Sequence, residues 1–162
     1  MASAQNNSEK EAALASNKKA SHDYHILETI ECGLELTGTE VKSCRTRQIT
    51  LADSYAKIDK GEAWLLNVHI APYDHGNRFN HNPKRERRLL LHKREILKLS
   101  QRIKENGATL IPLRFYLKKG RVKVMIGLAK GKTHGDKRES LRKKEDDRET
   151  RRALSSRARQ AL

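Results

Sequence analysis

Cysteine is nearly absent. Only Cys32 and Cys44 occur in the 162 residues, and they form no Cys-x-x-Cys pair. That argues against a zinc site and against a disulfide framework, and predicts two free thiols. Aromatic residues make up 4 % of the chain, so a core must rest on Leu, Ile and Val. No apolar run approaches the roughly 20 residues needed to cross a bilayer. The opening stretch, MASAQNNSEKEAALASNKKA, lacks the apolar centre of a secretory signal. These two absences predict a cytoplasmic protein. There is no internal repeat, no Gly-x-Ser-x-Gly elbow and no paired Cys/His nucleophile. Lys130-Gly131-Lys132-Thr133 lacks the upstream glycine of a phosphate loop.

What is abundant is positive charge. Lys and Arg number 35 against 20 Asp and Glu, a formal net charge of +15 with a pI near 10.1. A balance this basic points to a polyanion, and nucleic acid leads, because each neutralised phosphate releases counterions. A membrane surface is the weaker competitor. Residues 131–162 carry eleven Lys/Arg and six Asp/Glu, a net of +5, which leaves +10 on the first 130 residues. The basic character is therefore not confined to the tail.

Hydrophobic periodicity divides the chain into three parts. Residues 1–16 carry no period and read as a disordered extension. Residues 17–130 hold the periodic segments, and 131–162 form a strongly charged tail. Tyr24, Ile26, Ile30 and Leu34 suggest a first strand, and TGTEVKSCRTRQ a short helix. Apolar runs flanking Asp59-Lys60-Gly61 read as a hairpin. From Leu89 to Asn106 the period becomes helical, with Ile96, Leu99 and Ile103 on one face and Asn106-Gly107 as the stop. A second hairpin turns at Lys118-Lys119-Gly120, and its strands alternate with period two, one face buried and one wet. The pattern predicts a mostly β protein: a small antiparallel OB-like barrel with one long and one short flanking helix.

The densest basic cluster is Arg78 to Arg94, with seven Lys/Arg and one acid, Glu86. Like charges so close repel one another, so the cluster is expected to meet phosphates. Its first part, with Asn80, Asn82 and Pro83, reads as a loop before the helix. His69, His75, His81 and His92 faintly suggest a His-Asn-His nuclease, but the element order does not give that site its metal-binding fold. Composition and periodicity fit a ribosomal or assembly protein with an OB barrel equally well.

Ordered strings then carry a resemblance. They begin with Asn17-Lys18-Lys19-Ala20-Ser21-His22-Asp23-Tyr24 and Gly38-Thr39-Glu40-Val41-Lys42-Ser43-Cys44-Arg45. Asp53-Ser54-Tyr55, Gly61-Glu62-Ala63 and His69-Ile70-Ala71-Pro72-Tyr73 follow. Arg87-Arg88-Leu89-Leu90-Leu91-His92-Lys93, the run Gly127 to Lys132, and Asp136-Lys137-Arg138 complete the order. Together they resemble the small protein B, or SsrA-binding protein, family over residues 17 to about 150. The resemblance implies an OB-fold RNA-binding adaptor with no catalysis, no metal and no cofactor. Its implied partners are the tRNA-like domain of transfer-messenger RNA (SsrA RNA), the ribosome at its small-subunit RNA, decoding centre and messenger channel, and, through the RNA, elongation factor Tu. No membrane partner is implied.

Position by position, the resemblance implies an RNA face containing Glu31, Leu90 and His92, with Asn17, Lys18, His22, Tyr24, Arg45, Arg87 and Arg88 as further members. It implies a tail that is disordered when free and helical on the ribosome, starting with Gly131, Lys132, His134, Asp136, Lys137 and Arg138. One departure stands out. The position before Asp136, where the family often has a stacking His or aromatic residue, is Gly135, and the histidine is His134.

Overall fold

The computed structural model describes residues 12–75 and 80–160. Its centre is a closed antiparallel ring. The elements in chain order are β1 (Ala12–Ser16), α1 (Lys18–Asp23), β2 (Tyr24–Leu34), α2 (Gly38–Arg45), β3 (Ile49–Thr50), β4 (Tyr55–Asp59), β5 (Glu62–Leu66), β6 (His69–Ile70), β7 (Arg87–Leu90), α3 (Lys93–Asn106), β8 (Thr109–Lys118), β9 (Arg121–Gly131) and α4 (His134–Gln160). Strands β8, β4, β5, β7, β2 and β9 follow one another around the ring, and β9 pairs with β8 to close it. Closure pairs the ring strands on both sides except along the stretch of β8 beyond β4, in the OB-like barrel the sequence predicts.

Hairpin chemistry sets the register. Lys60-Gly61 and Lys119-Gly120 all have positive φ, between 49° and 76°. Both central residues of each two-residue loop are thus left-handed, the turn whose twist matches antiparallel strands. Glycine takes this conformation freely at the second position, and the pairs Asp59↔Glu62 and Lys118↔Arg121 flank the loops.

Alternation along the strands fills the barrel. Cys32, Ala56, Leu65, Leu89, Leu110, Phe115, Val124, Ile126 and Leu128 are all buried in one cluster. Helix α3 closes against it with Leu99 and Ile103, and its last residue gives way to Gly107 in the left-handed conformation. Both cysteines are free and buried, and burial pushes each thiol pKa up to about 12.

Three features differ from the sequence reading. Ala12–Ser16, placed there in a disordered extension, form β1 on the far edge of β8, with Leu14 buried. Five short residues carry no readable period; their order comes from a strand a hundred residues away. The expectation for residues 1–11 lies outside the described residues. Secondly, α3 begins at Lys93, not near Leu89, because Arg87–Leu90 make β7 between β5 and β2. A short leucine run suits strand and helix alike, and the vacant place in the ring decides. Thirdly, the tail forms one 27-residue helix, exposed throughout from Leu141 to Arg159.

Candidate nucleic-acid interface

The three neighbouring strands β2, β9 and β8 turn one face outward. Period two puts Glu31 of β2, Arg121, Lys123 and Met125 of β9, and Arg114, Tyr116 and Lys118 of β8 on that side; Tyr116 is fully buried there and the others are at least partly exposed. Glu31 is therefore ringed by cations. Its carboxylate accepts a hydrogen bond from the Tyr116 hydroxyl at 2.5 Å and lies 3.2 Å from Lys118 Nζ. The Tyr116 hydrogen bond, with Lys118 behind it, holds the Glu31 carboxyl below the usual carboxylate range. Arg114 sits 4.6 Å over the Tyr116 ring. The result is an ionised, oriented carboxylate with a third of its side chain exposed to solvent. Such a group can accept hydrogen bonds from base N–H or ribose hydroxyl donors, which phosphate-binding cations cannot do.

Leu90 joins this face from β7. It pairs with Gly33 of β2 and leaves 49 % of its surface in solvent. His92, two residues on, is the exposed residue before α3; its N–H donates to the Glu95 carboxylate at 2.9 Å. Arg45, at the end of α2, reaches Gly120 O of the β8–β9 turn at 3.4 Å. Glu31 and Leu90 therefore share one face of β2 and β7, while Arg45 stands at the β8–β9 turn and His92 at the start of α3. Lys118, Arg121, Lys123 and Arg114 join them without having been singled out from sequence. Their signal was available in the alternation of Arg121, Lys123 and Met125 with Val122, Val124 and Ile126.

The central basic cluster behaves differently. Arg87 is fully buried. Its Nε donates to Glu40 Oε2 at 3.1 Å, and its other nitrogens donate to Val68 O, Arg85 O and Pro83 O at 2.8–3.0 Å. Arg85 forks onto the same carboxylate at 2.8 and 3.1 Å. Burial alone would raise the Glu40 pKa, but the two guanidiniums outweigh it and hold the carboxyl below its ordinary value. Arg88 lies 3.0 Å from Glu35 and 3.3 Å from Glu62. Arg87 is therefore a core residue and not part of an RNA face, and Arg88 reaches the surface already paired. The partners that relieve this cluster are acids from distant parts of the chain. Arg78 lies outside the described residues.

A second group forms at the other end of β2, seven residues from Glu31 and about 23 Å away at the usual rise. Asn17 caps α1: its Oδ1 accepts from Ala20 N, while its Nδ2 and N donate to Pro112 O and Leu113 O. These carbonyls flank the bulge that follows Pro112, so Asn17 ties α1 to β8. Tyr24 packs against Ala20, Ile111 and Ala129. Lys18 and His22 are exposed, and His22 meets Asp23 at 2.8 Å. Asn17, Lys18, His22 and Tyr24 are thus not on the Glu31 face; they adjoin the root of the tail. There Lys132 donates its backbone N–H to Asp23 O and its Nζ to Ser21 O, and Lys137 lies 3.4 Å from Asp23. Thr133 and Asp136 exchange reciprocal hydrogen bonds that cap α4, and His25 stands 3.5 Å from Asp136. Gly131 ends β9, while His134 and Arg138 are exposed.

The histidine constellation does not assemble. His81 has both ring nitrogens engaged, with Thr39 Oγ1 at 2.8 Å and Ile70 O at 2.9 Å. Among the described residues no group of His, Cys, Asp and Glu is placed to hold a metal ion. None of the described helices is long and apolar enough to cross a membrane.

A closed antiparallel barrel with a basic outer sheet face, one fixed carboxylate and an exposed leucine defines an OB-type barrel. Comparison with known proteins narrows the class. The model of the SmpB protein family matches residues 14–156, and the chain belongs to that family. An SsrA-binding protein of Latilactobacillus sakei subsp. sakei (strain 23K) is 58 % identical over 144 residues, covering 89 % of this chain and 92 % of the relative. One from Streptococcus uberis (strain ATCC BAA-854 / 0140J) is 58 % identical over 143 residues, covering 88 % and 92 %. A chain from a structure of tmRNA–SmpB at the centre of the bacterial ribosome superposes with a TM-score of 0.63 at 44 % identity, covering 79 % of this chain and 94 % of that one.

Proposed function

We propose that this protein binds the tRNA-like domain of transfer-messenger RNA through the β2–β9–β8 face and brings that RNA to stalled ribosomes in trans-translation. Elongation factor Tu joins the complex through the RNA. The protein works in the cytoplasm, without catalysis of its own. The tail helix then enters the vacant messenger channel beyond the decoding centre. The observation that carries the binding half is the pairing of Glu31, held ionised by Tyr116 and Lys118, with exposed Leu90 on a cationic surface. Cations alone bind any polyanion, but a fixed acceptor beside an apolar contact selects a folded loop with exposed bases. Membership of a family whose relatives are named SsrA-binding proteins supports the choice of RNA.

The test is substitution on this face. Glu31→Ala and Leu90→Ala are each expected to weaken binding of the tRNA-like domain by about 1–3 kcal/mol in a gel-shift titration, with circular dichroism unchanged. Unchanged affinity in both variants would place the RNA on another surface.

A further inference from the structure

Two strings far apart in the chain meet in one cleft beside α1, with a volume of about 340 Å3. Asp23 and Tyr24 enter it from the junction of α1 and β2, and Asp53 and Tyr55 from the turn into β4. Buried Ala20 and Ile111 give it an apolar lining. None of these residues belongs to the Glu31 face. Asp53 holds the left-handed conformation, with φ 59°, which Asp tolerates better than most side chains. Ser54 is buried and fixes the turn by donating from Oγ to Leu51 O at 2.6 Å. Tyr55, the next residue, leaves 40 % of its surface in solvent. Asp53 is exposed, and none of the described cations pairs with it. Asp23, by contrast, already has Lys137 at 3.4 Å and His22 at 2.8 Å. Lys19 is the one cation of the lining, and it is exposed.

Two carboxylates against one ammonium make this an acidic spot on a chain of net charge +15. Phosphates are repelled from it. Two tyrosine rings beside an unpaired carboxylate suit a flat cation. A ring face attracts positive charge, and a carboxylate takes the parallel N–H groups of a guanidinium as a fork, which an ammonium cannot offer. We propose that this cleft is an arginine-binding site for a protein partner, which presents the arginine on a basic segment at the surface of the ribosome. The arginine stem lies over Ala20 and Ile111, the guanidinium stacks on Tyr55, and its N–H groups donate to Asp53. The site rests on the ribosome-delivery reading above and deepens it. Asp23 lines the cleft and also holds the root of the tail, so a ribosome that receives the tail comes within reach of the cleft.

The full-length protein, labelled for amide NMR, is titrated with acetyl-Gly-Arg-Gly-amide and with the matching citrulline peptide, which keeps the shape and drops the charge. The arginine peptide is expected to shift the amide signals of Asp53, Tyr55 and Thr109, and the citrulline peptide to bind at least about fivefold more weakly. Asp53→Asn keeps a side chain that tolerates the left-handed backbone and removes the charge. It is expected to weaken the arginine peptide by a similar factor and to leave affinity for the tRNA-like RNA within about twofold. Full-length protein with p-benzoylphenylalanine at position 55 is then loaded with its RNA onto stalled ribosomes and irradiated. Cross-links are expected on arginine-containing peptides of a ribosomal protein. Absence of shifts at the cleft, equal binding of the citrulline peptide, or undiminished binding by Asp53→Asn overturns the site. Cross-links to RNA alone, no cross-links, or a several-fold loss of RNA affinity in Asp53→Asn overturns it as well; the first and last of these give the cleft to RNA. Failure of the wild type to bind the RNA or to enter ribosomes overturns the function reading, and the peptide titration still decides the cleft.

Discussion

Glu40→Ala is expected to lower the unfolding free energy by about 3–5 kcal/mol, the loss typical when one partner of a buried ion pair is removed. The side chain is fully buried on α2, and its two oxygens receive Arg85 and Arg87. Without it the Arg87 guanidinium stays buried among carbonyl groups with no counter-charge. Replacing Glu40 and Arg87 together by methionine is expected to cost less than Glu40→Ala, because no charge is then stranded. Urea unfolding followed by circular dichroism measures both; a loss below about 1 kcal/mol in Glu40→Ala would show that the network is not what holds α2 to β7. The pH dependence follows from the direction of the shift. The folded-state pKa of Glu40 lies below its ordinary 4.5, so the pairing stabilises the fold above that value and is lost as the pH falls through the lower folded value. The same network reaches the binding face, since Arg87 begins the strand that Leu90 ends.

Truncation after Lys132 is the second large effect. The shortened protein is expected to bind tRNA-like RNA within about threefold of wild type, a change under 1 kcal/mol. It is expected to support no peptide tagging on stalled ribosomes. Helix α4 is held at its start. Its first turn is anchored by the Thr133–Asp136 cap, the Lys137–Asp23 pair and the Lys132 contacts to α1. Beyond Ser140 it is exposed on every side, and Leu141 and Leu154 are its large exposed apolar residues. Charge pairs four residues apart contribute only about 0.2–0.5 kcal/mol each, so the distal helix is marginal without a partner. In the proposed reading, a channel lined with RNA phosphates would be that partner for a segment of net charge +4. Full tagging by the truncated protein would sink the idea. A large loss of free-RNA affinity would instead assign the tail to the RNA-binding surface.

Local sequence patterns carried the barrel well. The turns at Lys60-Gly61 and Lys119-Gly120, the α3 stripe of Ile96, Leu99 and Ile103, and the period-two strands β8 and β9 are all short-range signals. What they could not carry was pairing at a distance. β1 is five small or apolar residues that become a strand only because β8 offers an edge. β7 is a leucine run assigned by the gap it fills between β5 and β2. In sequence the basic cluster looks like seven repelling charges because Glu40, its main partner, lies 45 positions from Arg85 and 47 from Arg87. For the same reason nothing local in the sequence marks Arg87 as a core residue. Of the sequence candidates for the RNA face, Glu31 and Leu90 share one side of the barrel. Its cations on β8 and β9 became visible once the ring set Arg114, Lys118, Arg121 and Lys123 around one carboxylate. Asn17 and Tyr24, grouped with that face from sequence, instead build the packing from which the tail departs.

The most direct measurement is to purify the full-length protein under native conditions from cells that make transfer-messenger RNA and to sequence the RNA that accompanies it. The account predicts that transfer-messenger RNA is the dominant species with wild type, and that Glu31→Ala and Leu90→Ala each deplete it several-fold at equal protein yield. Recovery of ribosomal RNA or a broad mixture of tRNAs in its place, unaltered by either substitution, would contradict it.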